Sequence, residues 1–315
     1  MTVSLPLRTG VLMSVLLLST FSPLPAASPE QGRQKIGVLL ANHGSRSATW
    51  RNALTDLEAG VRDRLLAVPG VTGVKTAFME YNEPSIATRM KEFDAEGYTD
   101  VIIVPVFLTV SAHTFDDIPT ILGRKTDPHS LELLKIERIE RYTPKASTVI
   151  APTLDFTALL KENIVRRAAA LSADAKNEGL VLIAYGDAQY EREWIELMNA
   201  VGEHVKKELG IASYAYGWCG HIAHYDPQRT TDAIGHVLAK KEKAVVVPVL
   251  VAHDEMFQVK IIGDGIAAVP DHRRRVAYRP DSILPDPAVE RWIVDAVHRE
   301  ASGLRATTSS QEGGR

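Results

Sequence analysis

The sequence predicts an α/β protein built from two similar domains, each a parallel sheet flanked by helices, related by internal duplication. Three observations lead there. Short apolar runs alternate with stretches of helical periodicity, the pattern of parallel strands joined by right-handed crossovers. One run, Val101-Ile102-Ile103-Val104-Pro105-Val106, is apolar throughout, as a strand covered on both faces requires. The second half also repeats the order of the first. Val104-Pro105-Val106-Phe107 answers Val247-Pro248-Val249-Leu250, Trp50 answers Trp194, and Tyr142-Thr143-Pro144 answers Tyr278-Arg279-Pro280. A period this long means duplicated domains, not a solenoid.

In chain order, Ile36 to Ala41 reads as a buried strand. It ends in the polar turn Asn42-His43-Gly44-Ser45-Arg46, and Trp50 to Leu66 follows with helical periodicity. Next come strand Val74 to Met79, helix Pro84 to Phe93, strand Val101 to Phe107 and a short helix Phe115 to Leu122. Strand Leu134 to Ile139 and helix Asp155 to Leu171 close the half. The second half runs strand Leu180 to Ala184, helix Glu193 to Leu209, strand Ser213 to Tyr216 and helix Arg229 to Ala239. Strand Ala244 to Val251, helix Phe257 to Ala267, strand Val276 to Tyr278 and helix Pro287 to Arg299 complete it. The domain boundary is expected at residue 174, giving an N-terminal domain over 32–173 and a C-terminal one over 174–303.

The 315 residues suffice for two domains of roughly 150 residues each. With 45% hydrophobic and 24% charged residues the composition is that of an ordinary globular protein. The net charge of -3 gives no sign of a nucleic-acid binder, although a local patch for a small anion is compatible with it. Residues 1–27 read as a cleavable export signal: Arg8 is the positive end, Gly10 to Phe21 a short apolar core, and Pro23-Leu24-Pro25-Ala26-Ala27 the cleavage region. A periplasmic or secreted protein is therefore expected. Cys219 is the only cysteine, which excludes an intrachain disulfide and lipid attachment at the cleavage site. Residues 304–315, Ser/Gly-rich from about Thr307, are expected to be a disordered tail.

Three first-half residues stand at strand ends: His43 after the first strand, Glu80 after the second and His113 after the third. Parallel neighbours would bring them to one sheet edge, where open α/β sheets bind ligands. Two imidazoles and a carboxylate suit a borderline divalent ion such as Co²⁺, Fe²⁺, Ni²⁺ or Zn²⁺. Neutral imidazole also accepts a proton near neutral pH. Thr114 is placed to cap the following helix, with Asp116 and Asp117 complementing its positive end. The amides of Gly44 and Ser45 precede a helix and could meet a ligand carboxylate, while Ser45 could equally be an N-cap. Arg46 either pairs with a ligand carboxylate or faces water.

These strings resemble a known family. Leu40-Ala41-Asn42-His43-Gly44-Ser45-Arg46, Phe78-Met79-Glu80-Tyr81-Asn82-Glu83-Pro84-Ser85, Val104-Pro105-Val106-Phe107-Leu108 through His113, and Asp116-Asp117-Ile118-Pro119 are similar to CbiX proteins. These are the sirohydrochlorin cobalto- and ferrochelatases, or class II chelatases. The resemblance implies a chelatase fold of two α/β domains around a tetrapyrrole cleft, in the long two-domain form. It implies insertion of Co²⁺ or Fe²⁺ into sirohydrochlorin or a related macrocycle, with no redox cofactor. By position, His43 and His113 match the metal-handling histidines and Glu80 the acidic residue. The second half departs from the pattern: Tyr185 takes the place of His43, Glu255 lies roughly where His113 would, and the match to Glu80 falls near Trp218. That half is expected to supply a wall of the cleft, with Trp218 and Tyr216 against the macrocycle or in core packing. Cys219-Gly220-His221-Ile222-Ala223-His224 is either an accessory metal site or an ordinary loop, and His253 with Glu255 is similarly open. An export signal fits poorly with cofactor biosynthesis, so a periplasmic metal- or tetrapyrrole-binding protein without turnover is the alternative. The expected partners are a tetrapyrrole and a metal ion, on a monomer or small homo-oligomer.

Overall fold

The protein, seen here as a computed structural model described over residues 1–2, 34–108, 111–153 and 156–312, carries two four-stranded sheets whose strands all run parallel. The first lobe runs β1 (Ile36–Asn42), α1 (Ala48–Leu66), β2 (Val71–Phe78), α2 (Ile86–Ala95) and β3 (Asp100–Pro105). A π-helical turn (His113–Asp117) leads into α3 (Ile118–Ile121), α4 (Pro128–Ile136), β4 (Ser147–Ile150) and α5 (Phe156–Ala169). The second lobe repeats this with β5 (Glu178–Ala184), α6 (Glu191–Leu209), β6 (Ser213–Trp218), α7 (Gln228–Leu238) and β7 (Lys243–Val249). A second π-helical turn (Glu255–Ile261) precedes α8 (Ile262–Ala267), α9 (His272–Arg275), β8 (Val276–Tyr278) and α10 (Pro287–Glu312). The strand orders, β2-β1-β3-β4 and β6-β5-β7-β8, are the same in both lobes, as duplication predicts.

The core is shared. Leu54, Val61 and Leu65 of α1, Ile164 of α5, Met198 and Val201 of α6, and Ile293 and Val297 of α10 are buried in one cluster with the inner faces of both sheets. Each such side chain contributes about 1.5–3 kcal/mol by leaving water. The outer faces have separate cores, with α2 and α3 on the first sheet and α7 and α8 on the second. The closing helices change sides: α5 packs on α6 and β7, and α10 packs on α1 and β3. Polar ties fix the exchange, among them Arg64 to Glu290 at 2.6 Å and Asn163 to Asp286 at 2.8 Å. Gln34–Arg315 therefore form one compact unit.

Three expectations change. The stretch read as strand Leu134 to Ile139 is the end of helix α4 and the turn after it, because Asp127 caps that helix, accepting from Ser130 N at 2.8 Å, and Pro128 starts it. The actual β4 is a four-residue edge strand with little alternation to reveal it. Consequently Ile150-Ala151-Pro152, not Tyr142-Thr143-Pro144, answers Tyr278-Arg279-Pro280, since Ile103 pairs with Ile150 and Val246 with Tyr278. Lastly, α10 continues to Glu312, through the stretch expected to be a disordered tail. The export signal read over 1–27 lies outside the described residues beyond its first two. Among the described residues no helix is long and apolar enough to cross a membrane.

Candidate active site

Register puts the chemistry at one edge. Asn42 pairs with Phe78, and Ala41 with both Ala77 and Pro105, so the turns after β1, β2 and β3 leave the first sheet together. Ser47, rather than Ser45, caps α1 by accepting from Trp50 N at 3.2 Å. The Trp50 indole then donates to the His43 carbonyl at 3.0 Å and holds the turn. Gly44 lies directly on the next turn: a Cβ there would fall 1.7 Å from the carbonyl oxygen of Glu80. Beyond Glu80, Tyr81 holds φ at 62°, the left-handed region that residues other than glycine seldom occupy.

The three predicted residues converge. His43 Nε2 lies 2.7 Å from Glu80 Oε1, and the rings of His43 and His113 meet edge-on with centroids 5.1 Å apart. Both nitrogens of His43 face oxygen acceptors, since Nδ1 lies 2.6 Å from the Gly44 carbonyl. Burial favours the neutral ring, but the hydrogen bond and charge of Glu80, with the Gly44 carbonyl, raise its pKa above the usual histidine value. Burial likewise opposes charge on Glu80, which is only 7% exposed, yet its pairing with His43 holds it at about 2. Glu137 lies on the far side of Glu80. Its hydrogen bond to Glu80, followed by its own burial, pushes its carboxyl up to about 8, and its place just past the C-terminus of α4 adds to that direction.

Asp117 orients the second histidine: His113 Nδ1 lies 2.7 Å from Asp117 Oδ2. A Nδ1–H donated there leaves the Nε2 lone pair available, the arrangement that second-shell carboxylates impose on ligating histidines. Burial opposes charge on Asp117, but the bond from His113 lowers its pKa. Among the described residues no group of three or more His, Cys, Asp or Glu is disposed to hold a metal ion. Instead the donors are hydrogen-bonded to one another, so a divalent ion arriving here must displace the proton between His43 and Glu80.

The second lobe supplies the facing wall of a cleft of about 780 Å³, within the range of small-molecule sites. Aligned by register and by the π-helical turns, Tyr185 stands at the His43 position, Gly220 at Glu80, His221 at Tyr81 and Phe257 at His113. This corrects two sequence matches, Glu255 for His113 and Trp218 for Glu80: the second π-helical turn has seven residues against five and matches the first at its C-terminal end, where the Ile262 and Ile118 amides donate to the Phe257 and His113 carbonyls. The ring pair survives as Tyr185 and Phe257, edge-on at 5.4 Å, without the nitrogens. Two sets of hydrogen bonds clasp the lobes. Ser45 Oγ donates to Asp254 at 2.6 Å and Ser47 Oγ to Glu255 at 2.7 Å. On the other side Tyr190 donates to Asp116 at 3.1 Å.

The remaining candidates divide. Ser45 and Arg46 line the cleft, but the Ser45 amide is taken by Asn82 Oδ1 at 2.9 Å and its hydroxyl by Asp254. Trp218 does not line the cleft. It packs edge-on against Trp194 at 6.1 Å and faces a separate depression with Tyr214 and Tyr216. Cys219 is buried, and the His221 ring packs between Tyr185 and Tyr225, so no accessory metal site assembles there. His253 Nδ1 lies 2.7 Å from the Pro280 carbonyl, a structural contact. Thr114 caps nothing, its hydroxyl having no hydrogen-bond partner among the described residues.

This two-lobed parallel α/β fold, with its paired histidines and acid at the strand ends of one lobe, defines a chelatase-like protein. The CbiX family matches residues 37–171, and a sirohydrochlorin cobaltochelatase from Methanococcoides burtonii is 35% identical over 99 residues, 31% of this chain and 71% of the relative. The chain belongs to the CbiX family. A sirohydrochlorin cobaltochelatase from Methanothermobacter thermautotrophicus is 38% identical over 94 residues, covering 29% of this chain and 60% of the relative, less than two thirds of its length. Among solved structures, SirB from Bacillus subtilis with Fe³⁺ shares the fold, with a TM-score of 0.60 at 16% identity over 87% of this chain and 98% of that one. Family membership supports a metal-chelatase function in general terms.

Proposed function

We propose that this chain inserts a divalent metal ion, Co²⁺ or Fe²⁺, into sirohydrochlorin or a related tetrapyrrole. The observation that carries the reading is the meeting of His43, Glu80 and His113 beside an aromatic cleft. In this reading His43 and His113 hold the substrate ion in an incomplete shell that leaves positions for ring nitrogens. Glu80, backed by Glu137, takes the protons that leave the pyrrole nitrogens. The second lobe, with Tyr185 and Phe257, is a wall that orients the ring. The leader over 1–27 is proposed to export the chain to the periplasm, which N-terminal sequencing of the periplasmic protein would test.

The deciding assay incubates purified protein with sirohydrochlorin and Co²⁺ and follows absorbance. Turnover above the spontaneous rate that vanishes in His43→Ala supports the chelatase. Stoichiometric binding without turnover supports a carrier and refutes it.

A further inference from the structure

We infer that two copies of this chain pair through β6, edge to edge and antiparallel about a two-fold axis at Tyr216. The duplication supplies the comparison. β2 and β6 are outer strands at the same place in the two sheets, with Phe78 at the register position of Trp218. The Met79 amide donates inward to Asn42, and the Cys219 amide inward to Ala184, each at 2.8 Å. Alternation along a strand then turns the main-chain groups of Val74, Thr76 and Phe78 outward in the first lobe, and those of Tyr214, Tyr216 and Trp218 outward in the second. The first edge is closed. Arg62 donates to the Val74 carbonyl at 2.9 Å, Arg89 to the Thr76 carbonyl at 2.9 Å, and the Phe78 amide to the Pro84 carbonyl at 2.9 Å. Charged side chains and chain returning over an edge are how proteins block strand addition. On the second edge the outward groups of Tyr214, Tyr216 and Trp218 have no hydrogen-bond partner among the described residues. A groove of about 660 Å³ runs along it.

The pattern along β6 is self-complementary. A two-fold axis at Tyr216 sets that residue against its own copy and Tyr214 against the partner's Trp218. Each of these is a pair whose outward amide and carbonyl can exchange hydrogen bonds. Each is also an aromatic pair, which stabilises antiparallel strands. On the opposite face the small Ala215 and Gly217 meet, and α7 runs beside them. The Arg229 carbonyl lies 3.1 Å from a Cβ built on Gly217, and Val237 lies against Gly179, the register partner of Ser213. The helix thus descends from the level of Gly217 to that of Ser213, with Arg229 on one side of Tyr216 and Asp232 on the other. The two-fold brings Arg229 to the level of the partner's Asp232, an attractive pair made twice. Within one chain Asp232 accepts from Gln228 at 2.8 Å, and Arg229 meets no acid among the described residues. None of these residues lines the cleft, so the pairing stands apart from the chelatase reading.

The test measures the mass of the purified protein by sedimentation equilibrium, where a dimer is expected. Asp232→Lys should raise the dimer Kd about tenfold or more, by facing Arg229 with a like charge. Arg229→Asp combined with Asp232→Arg should restore it, a rescue that a misfolded variant cannot show. Tyr216→Cys should be joined copy to copy by a short bis-maleimide, since opposed residues lie about 5 Å apart and the only other thiol, Cys219, is buried. A protein still monomeric at about 100 µM overturns the inference. So does a dimer that is indifferent to Asp232→Lys or that Tyr216→Cys fails to join, either of which would put the interface elsewhere. A monomer carrying a co-purified extended peptide along β6 overturns it as well, by giving the edge a different occupant.

Discussion

Gly44→Ala is a one-methyl change that should disable the site while leaving the fold in place. The added Cβ would lie 1.7 Å from the Glu80 carbonyl oxygen, 2.8 Å from its carbon and 3.0 Å from Asn82 Oδ1. To reach the 3.4 Å of an ordinary contact, the carbonyl must retreat by about 1.7 Å. It cannot swing freely, because it accepts the Asn82 amide at 2.8 Å, so the turn carrying Glu80 moves as a unit. That movement exceeds the tolerance of the 2.7 Å contact between His43 and Glu80. Overpacking of this kind costs about 1–3 kcal/mol, and a misplacement of about 1 Å can lower a rate roughly a hundredfold. The assay pairs Co²⁺ insertion with thermal unfolding followed by circular dichroism. Gly235→Ala is the control: nothing lies within 4 Å of its Cβ position in α7, so it should stabilise by about 0.5–1 kcal/mol and leave the rate alone. A Gly44→Ala protein that is folded and turns over at the unaltered rate would refute the claim that backbone contact between the two turns sets the geometry.

Other predictions concern the residues around this contact. His113→Ala should abolish insertion nearly as completely as His43→Ala, whereas Tyr185→Phe, which loses only a 3.5 Å hydroxyl contact with Tyr225, should be close to unaltered; equal loss in all three would contradict unequal lobes. Asp117→Asn offers His113 Nδ1 a neutral partner that can reverse the tautomer, so Co²⁺ affinity read by calorimetry should fall about 10–100-fold, and an unchanged affinity would remove Asp117 from the site. Asp94→Ala should cost about 1–2 kcal/mol, since Asp94 accepts from the Tyr142 hydroxyl at 2.7 Å and from the amides of Lys145 and Ala146. Although partial burial opposes charge on Asp94, these bonds lower its pKa below 3.8. Its stabilisation is thus complete above that value and fades as pH falls through the lower folded one, so urea midpoints of variant and parent should converge only in acid.

Much of this was legible because β1, β3, β5 and β7 are buried along nearly their whole length and so read as unbroken apolar runs. Parallel pairing then brings residues that follow different strands to one edge, which is why His43, Glu80 and His113 could be grouped. Asp117 was visible but misassigned. It stands four residues after His113, the spacing of facing side chains on a helix, yet an acid in a first turn reads equally well as a dipole partner. Glu137 was hidden by the strand reading of its segment, and no local pattern joins it to Glu80. The clasp residues Asp254 and Glu255 depend on how one lobe meets the other, which neither half encodes alone. Trp218 misled because an aromatic at a strand end looks the same whether it faces a ligand or another tryptophan.

The unequal lobes have a structural root deeper than the exchange of two histidines. Restoring imidazoles at Tyr185 and Phe257 would rebuild the ring pair, but the acid would still be missing, because its position is Gly220. A Cβ at Gly220 would lie 2.7 Å from both the Tyr185 carbonyl oxygen and its ring carbon Cγ. In the first lobe the glycine of each such contact is Gly44, on the histidine turn, which leaves the partner turn free to carry Glu80. In the second, the close approach is made from the acid's own position, where a side chain has no room. Packing between the two turns therefore decides which lobe can carry an acid beside its ring pair.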